Sequence, residues 1–115
     1  MAISAEVELD LFSGRPNPVW TLSNADTTEL ERRLSALPKT SAKTLFDGLG
    51  YRGLIVRRSK EATAHVQNGV VALASHESST YLEDSQRALE RWLIATGKSA
   101  IGAEIYKMVE AEASK

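Results

Sequence analysis

Ala62-Thr63-Ala64-His65-Val66-Gln67-Asn68-Gly69-Val70-Val71-Ala72-Leu73 is the stretch that decides how this chain folds. An Asn-Gly pair between two strand-forming runs favours a tight turn, because the positive φ angles it tolerates match the twist of paired strands. Ala62 to Val66 and Val70 to Leu73 are therefore expected to pair antiparallel across Gln67-Asn68-Gly69. Just upstream, the β-branched run Leu54-Ile55-Val56 reads as a central strand. The middle of the chain is then a meander.

Working outward to the N-terminus, Ala5 to Phe12 alternates, with Val7, Leu9 and Leu11 on one side and Glu6, Glu8 and Asp10 on the other. That period of two belongs to a half-buried strand, expected to stop near Ser13-Gly14. Arg15 and Asn17 each precede a proline, which holds the loop extended. Val19-Trp20-Thr21-Leu22 then returns as a short strand beside the first. Ser23 suits an N-cap and Asp26 the positive end of a helix carrying Leu30, Leu34 and Leu37 at helical spacing, which Pro38 ends. Ser41 to Phe46 is compatible with one or two helical turns.

Towards the C-terminus the period changes. Ser79 or Thr80 is expected to cap a helix with Leu82, Leu89, Trp92 and Leu93 on one face, stopped by Gly97. Ile101, Ile105 and Met108, with Val109 alongside, predict a last amphipathic helix to about Ala113. The order β-β-α-β-β-β-α-α makes residues 1–115 a single α+β domain. Its antiparallel sheet of about four to five strands is packed against about two to three helices. Val7, Leu9, Leu11, Leu30, Leu34, Ile55, Leu89, Trp92 and Ile105 are the expected core.

Composition narrows the function classes. With 115 residues, 43% hydrophobic and 25% charged, the chain can bury one core and is too apolar for intrinsic disorder. The absence of cysteine excludes disulfides, thiolate zinc sites and a cysteine nucleophile. A net charge of −1 gives no reason to expect a nucleic-acid or membrane partner. The start of the sequence has neither the basic residues nor the apolar run of a signal peptide, so a cytoplasmic protein is expected.

No string carries recognisable catalytic chemistry. His65 and His76 lack metal-ligand spacing, His76-Glu77 lacks the second histidine of a zinc-protease motif, and no serine stands in a nucleophile elbow. Gly48-Leu49-Gly50-Tyr51-Arg52-Gly53 has dinucleotide-loop spacing but precedes a strand instead of joining a strand to a helix. Neither a catalytic residue nor a metal or cofactor site is assigned.

Residue types common in binding surfaces remain: Arg15, Asn17 and Trp20 on or beside the proline loop, Tyr51 and Arg52 at a strand start, and Arg57. Arg52, Arg57, Arg58 and Lys60 also make a basic strip suited to an acidic peptide. The plainer reading has Trp20 in the core, Arg15 tied to a strand-one carboxylate, and the charged rows pairing across strands.

Three strings, taken in order, carry a resemblance: Leu9-Asp10-Leu11-Phe12-Ser13-Gly14-Arg15-Pro16-Asn17-Pro18-Val19-Trp20, Leu49-Gly50-Tyr51-Arg52-Gly53 and Glu90-Arg91-Trp92-Leu93. The chain is similar to small bacterial proteins with a Phe-Ser-Gly-Arg-Pro-Asn-Pro-x-Trp signature. It also resembles the peptide-binding proteins of crocagin-type pathways, which make ribosomally synthesised, post-translationally modified peptides. That resemblance implies an accessory protein that binds a precursor peptide and assists its modification. The implied partners are the peptide, the modifying enzymes of the pathway and a second copy of the chain. Two rival expectations are a small cyclase-like enzyme using Asp10, His65 or Tyr51, and an immunity-type protein that binds a folded partner.

Overall fold

The computed structural model describes residues 4–10, 17–40, 53–58, 62–67, 69–74 and 79–113. Six strands form one antiparallel sheet: β1 (Glu6–Leu9), β2 (Val19–Thr21), β3 (Leu54–Arg57), β4 (Thr63–Gln67), β5 (Val70–Ala74) and β6 (Ser79–Glu83). Their spatial order is β2-β1-β3-β4-β5-β6. Three helices complete the α+β fold: α1 (Asn24–Ala36), α2 (Ala88–Thr96) and α3 (Ala103–Ala113). The expected hairpin is β4-β5, registered through Gln67↔Val70, with Gly69 at φ 82° in its turn.

Alternation sorts each strand onto two faces. Val7, Leu9, Leu54, Val56, Ala64, Val66 and Val71 point to one side and are fully buried; Leu82 joins them. Leu30 and Leu34 of α1, Leu89, Leu93 and Ile94 of α2, and Val109 of α3 close over them in a single cluster. All three helices therefore lie on the same side of the sheet. Ser23 caps α1 as expected, its hydroxyl accepting from the Asp26 amide, and the chain leaves the helix at Leu37-Pro38.

Several sequence expectations need correction. The sheet has one more strand than expected, because residues 79–83 form β6 and not the first turn of a helix. Leu82 and Leu89 are seven apart, which fits two helical turns. Here Leu82 reaches the core from a strand and Leu89 from α2. Ile55 sits opposite Glu8 and His65 on the other face and is only half-buried. Trp92 and Ile105 are likewise partly buried against the core, and Met108 is 46% exposed while Val109 is buried. Leu11 and the 41–46 segment lie outside the described residues.

The junction between β6 and α2 is built from charges. Asp84, almost fully buried, accepts hydrogen bonds from the Leu89 and Glu90 amides at 2.8 and 3.0 Å, satisfying free donors at the start of α2. Burial is the main cause holding its carboxyl above the usual range. Glu90 is wholly buried and forms a two-pronged pair with Arg87, at 2.9 and 2.8 Å. Arg87 also donates to the Glu112 carbonyl at 2.9 Å, tying the end of α3 to the start of α2. Gln86 and Arg87 both adopt left-handed backbone, at φ 57° and 56°.

Candidate functional site

The two edges of the sheet differ. At β6, the segment after α1 lies alongside: Thr40 N–H donates to the Tyr81 carbonyl and Glu83 N–H to the Pro38 carbonyl, at 2.9 and 2.8 Å. At β2 the pairing with β1 runs through Glu6↔Thr21, Val7↔Trp20 and Glu8↔Val19. Leu22 N–H donates to Ala5 and Leu9 N–H to the Pro18 carbonyl. These bonds fix the antiparallel phase, in which Trp20 turns its backbone groups to β1 and Val19 and Thr21 turn theirs outward. Val19 is 46% exposed, Thr21 is exposed, and among the described residues no strand pairs with this side.

Trp20 holds the edge in place from beneath. Its indole N–H donates to the Thr96 hydroxyl at 3.0 Å and the residue is 9% exposed. A Cβ placed on Gly97 would meet the indole ring at 2.4 Å, so glycine is what lets the ring lie against the end of α2. The tryptophan therefore positions β2 from within the core.

On the other face of the strand, Asn17 donates to Glu8 at 2.8 Å. Arg57 reaches Glu8 at 2.8 Å and Glu6 at 3.3 Å across β1-β3. The Asn17 amide first, then the Arg57 guanidinium, hold the Glu8 carboxyl below its usual range. Arg58 is taken up by a two-pronged bond to Glu31 of α1, at 2.8 and 2.5 Å. Half of the proposed basic strip is thus paired within the molecule; Arg52 and Lys60 lie outside the described residues, as do Arg15, Tyr51 and His76. Of the sequence-derived site residues, Asn17, Trp20 and Arg57 come together around β2, each already engaged internally.

Asp10 and His65 do not share a row. Asp10 faces Gly53 and His65 faces Ile55 and Ala72, which puts their Cα atoms about 12 Å apart from strand spacing and rise. Among the described residues no cluster of three histidines or carboxylates fits a metal ion, and no helix is long and apolar enough to cross a membrane.

One feature was missed in the sequence. A concavity of about 370 Å³ is lined by Lys98, Ala103, Tyr106, Lys107 and Glu110. Lys98 follows Gly97, and the four α3 positions share one stripe at spacings of three and four. The Lys98 Nζ stands 5.8 Å from the centre of the Tyr106 ring. Burial, then the neighbouring Glu110, which accepts from the phenol, pushes the Tyr106 hydroxyl up from its ordinary value. Reading α3 for its apolar stripe alone hides this polar one.

Comparison with known proteins returned no match to a family model, a curated protein or a solved structure.

Proposed function

We propose that this protein is a peptide-binding accessory protein, which takes an extended ribosomal precursor peptide as an added strand along β2 and presents it for modification. The observation that carries the reading is the outward backbone of Val19 and Thr21 on an exposed edge, beside an opposite edge that residues 38–40 occupy. Strand addition draws affinity from main-chain hydrogen bonds and selectivity from alternate side chains. Trp20, anchored to Thr96 and Gly97, keeps the edge from yielding as the peptide pairs. The signature string Phe12 to Trp20 runs directly into this strand.

Thr21→Pro is the test. Proline removes an outward N–H and is tolerated on an edge strand when its N–H faces solvent. A displayed random-peptide library selected on the wild type should yield binders that the variant loses, with thermal stability nearly unchanged. Binders that persist on a folded Thr21→Pro variant would overturn the reading. So would a variant altered only in sedimentation, which would make a second copy of the chain the occupant of the edge.

A further inference from the structure

Of the cations that sequence reading assigned to peptide recognition, the two among the described residues are both paired within the molecule. Arg57 is held by Glu6 and Glu8, and Arg58 by Glu31. At the α3 concavity the situation is reversed. Among the described residues neither Lys98 nor Lys107 has a carboxylate partner, and the Glu110 carboxylate beside them accepts a hydrogen bond from the Tyr106 phenol. Two ammonium groups, an aromatic ring and the small Ala103 surround a space large enough for one side chain. Such a set suits a carboxylate on a short aliphatic stem: the stem lies against Tyr106 and Ala103 while the charge meets the lysines.

The position relates this space to the candidate edge. The Trp20 ring rests on Gly97, and Lys98 is the next residue, so the turn that carries Lys98 lies beneath β2 on the helical side. A strand added to β2 points alternate side chains to the two sides of the sheet. Those on the Val19 and Thr21 side meet uncharged residues, and Glu6 and Glu8 behind them repel acids that escape Arg57. Those on the Trp20 side point towards the helical layer, whose turn at Gly97 carries Lys98. The two flanks therefore select differently.

We propose that the bound peptide is acidic on one flank only, with a glutamate or aspartate side chain received between Lys98 and Lys107 beside Tyr106. This rests on the reading of β2 as the peptide edge, but the pocket is tested apart from it. The probes are N-acetyl-glutamate α-methylamide and its glutamine counterpart, which are too short to pair as a strand. Titrated into ¹⁵N-labelled protein, the glutamate probe should shift the amides of Lys98, Ala103, Tyr106 and Lys107 saturably. The glutamine probe should bind about tenfold more weakly, the loss expected for one charge-assisted contact. Lys98→Gln with Lys107→Gln should abolish the difference without altering the spectrum of the sheet. Equal response to the two probes, or shifts that survive the double substitution, would overturn the pocket. Peptides that still depend on Thr21 would then leave the strand-addition reading standing.

Discussion

At Gly97 the absence of a side chain is the contact. Gly97→Ala must displace the Trp20 ring or the end of α2, since the added carbon would lie 2.4 Å from indole carbons. A loss of about 1–3 kcal/mol in denaturant unfolding is expected, the usual cost of overfilling a packed site. Gly102→Ala is the matched control: nothing lies within 4 Å, and the change should stay within about 0.5 kcal/mol. Glu8 gives a second residue-scale prediction. Its carboxyl titrates below its ordinary 4.5 in the folded protein, so folding favours the ionised form. The resulting stabilisation is fully present above the unfolded value and fades as pH falls through the lowered native one. Glu8→Gln should therefore cost about 1 kcal/mol near neutral pH, as a part-exposed, charge-assisted bond does. The gap to wild type should close on acidification. A gap that stays constant down to strongly acidic pH would remove the Asn17-Glu8-Arg57 link from the account.

The elements differ in how far sequence reveals them. The β4-β5 hairpin was legible because Asn68-Gly69 supplies its turn chemistry locally, and α1 because Ser23 and Pro38 mark both of its ends. β6 was not, because Thr80 and Leu82 alternate for too few residues to outweigh the seven-residue echo between Leu82 and Leu89. What stops that segment becoming a helix is the Asp84-to-Arg87 corner, whose left-handed residues are not glycine or asparagine and so give no composition signal. Two substitutions there should act in opposite directions. Gln86→Gly should stabilise by about 1 kcal/mol, because it relieves a side chain from left-handed backbone. Arg87→Met should cost about 3–5 kcal/mol, since it strips the guanidinium from the buried Glu90 carboxylate. Adding Glu90→Gln to Arg87→Met should recover part of that loss. Thermal denaturation of the three variants checks the signs, and a neutral Arg87→Met would show that the pair does not hold α2 and α3 together.

For the whole molecule, the α+β class and the sheet's apolar face follow from strand alternation, whereas the candidate site depends on which edge the described residues leave unpaired. Sequence cannot place that edge, since strand order is set by contacts between residues far apart, such as Val7↔Val56 and Lys39↔Leu82. Residues 38–40 cover β6, so an incoming strand is directed to β2. Backbone amide exchange at Val19, Trp20 and Thr21, in the free protein and with a library-selected peptide, tests that claim most directly. The Trp20 amide, bonded to β1, should be protected in both states. Val19 and Thr21 should exchange freely alone and become protected on binding, because an added strand supplies acceptors that none of the described residues provides. Protection of Val19 and Thr21 in the free protein, or exchange unchanged with the peptide bound, would contradict it.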